Sequence, residues 1–349
     1  MESVPNPEKL SSFSMNRRRW FGTGLAAGAV TLGMRNGPAA QAQEVGNDQS
    51  LSGHNAHVYR FILGECEAAV ISDGQKFRDG ALGMILTDDK EAVADALEAA
   101  YEPRGGFSAD YNVLVLKKGD RIALFDTGSG GDGLLPDGLQ QLGIEPAQVT
   151  DVLISHCHGD HIGGLLDSEG ALVFPQAKTH LLEVERDFWS SESPDFSQSA
   201  LPADKTSGMA ASARGVLSKL DAAGVLENRA DGDRLWDGII TFRHAPGHTP
   251  GHAIFELKSG DDALVHIVDL AHHYVIMFAD PSWAIAFDVA PEEAIETRKK
   301  IFSELAERRV PVIGYHLPFP ALGHIAAEDR GYRWVAGRWA RERGNGSWP

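Results

Sequence analysis

Ser155-His156-Cys157-His158-Gly159-Asp160-His161 places four ligand-type side chains within six positions, directly after the apolar run Asp151–Ile154. Such a run predicts a strand, and a strand that ends in a loop turns the alternate residues His156 and His158 the same way. The turn at Gly159 then carries Asp160 and His161 toward a second position, so two metal ions a few ångströms apart can share one short segment. Imidazole and carboxylate suit a divalent ion such as zinc, which neutral histidine binds at roughly 2.0–2.1 Å. A surface turn that happens to be rich in histidine is the competing reading, and the density of ligand types weighs against it. Cys157 lies between two ligand positions, so alternation turns its thiol away from them and makes it a small buried filler.

Outward from this segment, Val58–Leu63, Ala68–Ser72, Asn112–Lys117, Ile122–Asp126 and Asp151–Ser155 read as strands rich in Val, Ile, Leu and aromatics. Turn pairs such as Asp73-Gly74 and Gly119-Asp120 separate them. Helical periodicity falls at Asp88–Ala100, Gly208–Ala223 and Pro291–Arg308, the last beginning Pro291-Glu292-Glu293 as a first turn prefers. Ile239–His244, Ala253–Leu257, Ala263–Asp269 and Val310–Tyr315 repeat the strand theme. Ser190–Ser207, rich in Ser, Asp and Pro, is predicted as a long loop. Strands, helix, strands, helix implies an α/β fold of four αββα layers.

Composition bounds what such a fold can bind. The chain has 349 residues, 43% of them apolar, enough for one large domain over residues 57–349. Its formal charge of −17 becomes about −20 without the first 42 residues, which carry five Lys/Arg and two Asp/Glu. A surface that acidic repels nucleic acid and anionic membrane, so neither is an expected partner. Two cysteines, Cys66 and Cys157, make no disulfide framework. Arg17-Arg18-Arg19-Trp20-Phe21, the mildly apolar Gly22–Met34 and Ala40-Gln41-Ala42 have the layout of an export signal. The Arg18-Arg19 pair resembles the twin-arginine type, which carries folded proteins. Residues 1–42 are therefore expected to direct the protein to the periplasm or beyond, with 43–56 as a flexible linker.

His156-Cys157-His158-Gly159-Asp160-His161 matches in full the HxHxDH signature of the metallo-β-lactamase superfamily, which this chain resembles. The resemblance implies a four-layer αββα metallo-β-lactamase sandwich and further ligands. Pro246-Gly247-His248-Thr249-Pro250-Gly251-His252 supplies His248, with His252 structural; Val265-His266-Ile267-Val268-Asp269 supplies the bridging Asp269; Ile313-Gly314-Tyr315-His316 supplies His316. Asp126, in Leu124-Phe125-Asp126-Thr127-Gly128, matches the aspartate that supports the site from behind the ligands. Within the superfamily the chain is most similar to the methyl parathion hydrolase group and its lactonase relatives. That likeness rests on Leu63-Gly64-Glu65, Ser72-Asp73-Gly74, Asp187-Phe188-Trp189, His316-Leu317-Pro318-Phe319-Pro320 and Gly323-His324-Ile325, in that order. Quorum-signal lactonases of the superfamily carry a tyrosine three residues after the bridging aspartate, and His272 stands there in this chain.

What the resemblance implies is a binuclear hydrolase. One ion would be held by His156, His158 and His248, the other by Asp160, His161 and His316, with Asp269 between them. Two divalent ions, zinc first, would lower the pKa of a water they share and give a nucleophile without Ser, Cys or a general-base histidine. Asp160 is the candidate to pass a proton to the leaving group. Trp189, Phe188, Leu134, Leu135 and His272 are the candidate pocket residues, Tyr274 an alternative to His272. An aromatic, uncharged mouth of that kind favours small neutral esters, lactones or organophosphate triesters, and the group implies a homodimer. The competing readings are a β-lactamase, a mononuclear iron dioxygenase and a non-catalytic metal-stabilised binding module. A flavo-diiron protein is disfavoured by His158, where that motif has glutamate. A nucleic-acid processor is disfavoured by the short span from Asp269 to His316.

Overall fold

The computed structural model describes residues 55–338. The export-signal reading, and the linker reading as far as residue 54, lie outside the described residues. The first half of the domain holds β1 (Val58–Leu63), β2 (Cys66–Asp79), β3 (Ile85–Leu86), β4 (Gly106–Lys118), β5 (Arg121–Phe125), β6 (Asp151–Leu153), β7 (Lys178–Leu182) and β8 (Leu226–Arg229). The second holds β9 (Arg234–Leu235), β10 (Ile240–His244), β11 (Ala253–Ser259), β12 (Asp262–Val268), β13 (Ala284–Ile285), β14 (Val312–Gly314), β15 (Leu322–Ala327) and β16 (Tyr332–Ala336). Helices α1 (Lys90–Ala99), α2 (Leu135–Leu142), α3 (Gly159–Ile162), α4 (Glu183–Ser190), α5 (Ala203–Ala222), α6 (Ile276–Ala279) and α7 (Pro291–Arg308) connect them.

Two seven-stranded sheets form, in the orders β1-β2-β4-β5-β6-β7-β8 and β16-β15-β14-β12-β11-β10-β9. Each contains parallel pairs: β5–β6–β7–β8 in the first and β12–β14 in the second. Apolar faces of the two sheets meet. Phe125 of β5 and Phe255 of β11 pack edge to face at 5.1 Å, and Phe242 of β10 joins Phe255 at 5.1 Å. All three rings are fully buried, each stabilising the fold by about 2 kcal/mol. Helix α2 packs on β2, α4 on β7 and α5 on β8, while α7 packs on β15 and α6 on β16. The result is the αββα order expected from the sequence.

Local chemistry explains the elements that matter here. Helix α1 starts at Asp89, whose carboxylate accepts from the Ala92 amide at 2.9 Å. Helix α7 spans the predicted Pro291–Arg308, with Pro at its first position and Glu292 and Glu293 in its first turn. The predicted loop Ser190–Ser207 is shorter than expected, because α4 runs through Ser190 and α5 begins at Ala203. Only Thr206 among residues 203–207 is buried, so the first turn of α5 carries no apolar periodicity to betray it. Cys66 and Cys157 are free, buried thiols. Among the described residues no helix is long and apolar enough to cross a membrane.

Candidate metal centre

Parallel pairing in both sheets brings the ligand loops to one place. Phe125 pairs with Leu153 at the ends of β5 and β6, so Asp126 and the Ser155–His161 segment leave the first sheet side by side. Val268 pairs with Gly314 at the ends of β12 and β14, so Asp269 and His316 leave the second sheet together. The connection from β10 to β11 adds His248. Two of the residues at these exits hold left-handed backbone, Asp126 at φ 64° and Val268 at φ 47°. For a β-branched residue such as Val268 that conformation is strained, and strain of this kind is kept where the surrounding structure aims a functional side chain.

The side chains converge on the Oδ2 atom of Asp269. His316 Nε2 lies 3.1 Å from it, His272 Nε2 3.2 Å, His161 and His248 Nε2 3.3 Å, and His156 Nε2 3.7 Å. The donor atoms of His156, His158 and His248 lie within 4.8 Å of one another, and so do those of Asp160, His161 and His316. The fit to metal can be tested on hydrogen bonding alone. His158 Nε2, His161 Nε2 and Asp269 Oδ1 are buried without a partner, which is costly for a site that holds nothing. His248 Nε2 and His156 Nε2 face each other at 3.1 Å. Two imine lone pairs at that distance repel unless a proton or a cation lies between them, so the donor set fits divalent cations.

The far nitrogens are fixed by partners. Asp126 Oδ2 takes the His161 Nδ1 proton at 2.8 Å, Asp288 Oδ1 takes that of His248 at 2.8 Å, and the Asp110 carbonyl takes that of His316 at 2.8 Å. A carboxylate or carbonyl only accepts, so each ring is held in the tautomer that points its Nε2 lone pair inward. Ser155 Oγ, donating to Asp126, accepts from His156 Nδ1 at 2.9 Å and does the same for that ring. Burial, helped by neighbouring imidazoles, holds His156 and His158 well below their ordinary pKa. For His248 burial works against the charge, but Asp269 and Asp288 outweigh it and raise the ring to about 9. Asp269 in turn is held well below the carboxylate range, because the imidazoles around it, His161 and His316 foremost, overcome its burial.

Three residues that sequence reasoning missed hold the loops in register. Glu185, fully buried on α4, accepts from the Cys157 amide (2.9 Å), the Gly251 amide (2.8 Å), Thr249 Oγ1 (2.7 Å) and Trp189 Nε1 (2.6 Å). It therefore joins the His156–His161 loop to the His248 loop. Asp288 is the partner of His248. Asn112 donates to the carbonyls of Tyr315 (2.8 Å) and Leu317 (2.7 Å), on either side of His316. One signal was available for Glu185: it lies four residues before Trp189, an acid on the stripe of α4 that faces the core.

Over the cluster lies a cavity of about 260 Å³. Its floor includes His158, Asp160, His248, Asp269, His272 and His316, and its walls include Arg78, Met84, Phe107, Met209, Ile285 and Phe287. His272 lines the cavity, its ring stacked on His316 at 5.3 Å. Tyr274 does not; its hydroxyl donates to Glu102 at 2.7 Å. Four other expected pocket residues are placed elsewhere. Trp189 is fully buried, edge to face with His158 at 5.7 Å, and braces that ligand from behind. Phe188 packs on Phe196 at 5.2 Å. Leu134 precedes α2, where its amide donates to the Asp73 carbonyl at 3.0 Å, and Leu135 lines a separate cavity beside Asp73. For three of them the physical reason is helix facing: α4 turns Trp189 and Phe188, and α2 turns Leu135, toward the core rather than toward the ions. Nor is the mouth uncharged, because Arg78 lines it.

Residues 109–265 match the family model described as the metallo-beta-lactamase superfamily, and the chain carries a domain of that superfamily. AidC, a dizinc quorum-quenching lactonase, superposes with a TM-score of 0.78 at 28% identity, covering 81% of this chain and 98% of that one. The hydrolase AbOPH of the beta-lactamase superfamily gives 0.75 at 26%, covering 82% and 100%. The probable metallo-hydrolase Rv2300c of Mycobacterium tuberculosis is 22% identical over 239 residues, 59% of this chain and 69% of its own. The protein is a metal-dependent hydrolase of this superfamily.

Proposed function

We propose that the protein uses two divalent ions, zinc first among them, to cleave esters, lactones or organophosphate triesters. One observation carries the reading: two groups of three donors share the Asp269 carboxylate, and the inward atoms of His158, His161 and Asp269 have no other partner. His156, His158 and His248 would hold one ion and Asp160, His161 and His316 the other, with Asp269 between. When bound, such a pair supplies Lewis acidity and lowers the pKa of coordinated water toward neutrality.

The chain's own residues do the rest. Asp126, Ser155, Asp288 and the Asp110 carbonyl keep the imidazoles in the ligating tautomer. Asp160, more exposed than the other ligands, reaches the cavity and is placed to give a proton to a departing alkoxide or phenoxide. Its backbone carbonyl is held by the Tyr315 hydroxyl, whose ring also packs on His161 at 4.0 Å. Apolar walls exclude water from the acyl or phosphoryl substituents. The lactonase and organophosphate readings also draw on the likeness to AidC and AbOPH.

The test is a substrate panel on metal-quantified protein: paraoxon, a γ-lactone, para-nitrophenyl acetate and nitrocefin. Two ions per chain, with turnover of at least one of the first three lost in Asp160→Asn, is the expected result. Turnover of nitrocefin alone would make the protein a β-lactamase, and one iron per chain would make it a dioxygenase.

A further inference from the structure

Arg78 stands out among the residues around the cavity. Of the charged side chains that line it, Asp160 and Asp269 belong to the metal ligands, and Arg78 is the one arginine or lysine. It sits near the end of β2, opposite Phe107 of β4 in the antiparallel register, where this two-stranded arm forms one wall of the cavity. Its guanidinium is held from two sides: Nη2 donates to Tyr111 Oη at 3.3 Å, and the group lies 5.8 Å from the centre of the Phe287 ring. Tyr111 in turn packs edge to face on His316 at 5.5 Å, so the cation is one aromatic ring away from a ligand.

What Arg78 lacks is a counter-ion. Among the described residues no carboxylate lies within ion-pairing distance of it. Arg104, Arg186, Arg243, Arg298, Arg308 and Arg333 have one, while others such as Arg60, Arg214 and Arg229 donate instead to a carbonyl or an imidazole, and none of these lines the cavity. What sets Arg78 apart is its place, on the wall of the metal cavity and without a carboxylate partner in a chain of 49 acidic and 32 basic residues. Its remaining N–H groups are free, and the neighbouring wall of Met84, Phe107, Met209, Ile285 and Phe287 offers no competing charge and a low local dielectric, in which ionic hydrogen bonds strengthen.

We propose that Arg78 is a specificity-determining residue that binds a carboxylate at the far end of the substrate's acyl chain. The substrate class is then an ester or lactone whose reacting carbonyl sits at the ions, whose hydrocarbon spacer lies along the apolar wall, and whose terminal carboxylate meets the planar guanidinium, a geometry arginine matches with two parallel bonds. This deepens the hydrolase reading and rests on it for the reacting end.

The experiment compares two esters that differ only at the tail, mono-para-nitrophenyl glutarate and para-nitrophenyl pentanoate, on metal-loaded protein. The ratio of their kcat/KM values should favour glutarate by roughly tenfold, with the difference in KM, as a charge-assisted hydrogen bond allows. It should fall to about one in Arg78→Met, persist in part in Arg78→Lys, and drop below one in Arg78→Glu, which repels the carboxylate tail. A ratio near one in the unaltered protein, or a preference that survives Arg78→Met, overturns the proposal, because the ions alone would then be attracting the anion. Calorimetric binding of glutaric monoanilide to the same proteins needs no turnover. If no ester is cleaved, the hydrolase reading falls, and weaker anilide binding by Arg78→Met still decides the role of Arg78.

Discussion

Asp288 does for His248 what Asp126 does for His161. Each is fully buried, each accepts from a ligand's Nδ1 at 2.8 Å, and each has its remaining bonds taken by fixed donors. In Asp288 these are the Ile285 amide at 3.1 Å and, more distantly, Arg298 at 3.8 Å. An amide in place of that carboxylate keeps the volume but weakens the acceptor and can present an N–H to the ring. Asp288→Asn should therefore lower metal affinity at the His248 site by roughly 10- to 100-fold while the protein stays folded. Competition against a chromophoric chelator measures this, and unchanged affinity would show that packing alone orients His248. The two aspartates differ in how they could be read. Asp126 was found through the family pattern of its strand end, whereas Asp288 lies 40 residues from its partner and in no motif. The HxHxDH ligands were legible because they are contiguous. The aromatic pocket residues were misplaced because a sequence shows that Trp189 is large and apolar but not which side of a ligand it packs against.

Helix α4 shows the same limit at the level of an element. Its eight residues are too few for periodicity to stand out, and the predicted loop swallowed its end. Strands β7, β8, β15 and β16 are short or only half-buried, so they too lacked the continuous apolar run that marked β1 and β12. Yet α4 supplies Glu185, whose two oxygens satisfy donors from two loops and its own helix. Burial pushes this carboxyl's pKa up and outweighs the four bonds, which work the other way. The backbone leaves little slack around it: a Cβ at Gly251 would lie 2.3 Å from the Glu185 nitrogen, and one at Gly247, at φ 120°, 2.1 Å from the Ala294 nitrogen at the start of α7. Removing the carboxyl group strands four donors in the core. Glu185→Ala should cost about 3 kcal/mol or more in urea unfolding, and Glu185→Gln, which keeps an acceptor oxygen, distinctly less. Equal losses for the two would mean that the side chain contributes packing rather than bonds.

At the scale of the whole molecule, the ions would join the two halves of the sandwich. The first half contributes His156, His158, Asp160 and His161, and the second His248, Asp269 and His316, across a core held together by apolar contacts such as Phe125 on Phe255. This division was readable from the sequence, since strands and helices recur in two rounds and each round carries ligands just after an apolar strand. What the sequence left open was the arm of β2 and β4 beyond residue 73, where exposed and buried positions no longer follow the sheet and Arg78 enters the site. Because the unfolded chain cannot bring both halves to one ion, binding free energy is also folding free energy. At free metal well above the dissociation constants, each ion released on unfolding adds RT to the slope of stability against the logarithm of metal concentration, about 1.4 kcal/mol per tenfold. The binuclear reading predicts a slope near 2.8 kcal/mol per tenfold, measured by denaturant unfolding in metal buffers, and chelation should lower the melting temperature. Replacing His316 with Ala should bring the slope to about half, since one group of donors remains intact. A slope of about 1.4 kcal/mol per tenfold in the unaltered protein would mean that a single ion fastens the two halves, and the second group of donors would need another role.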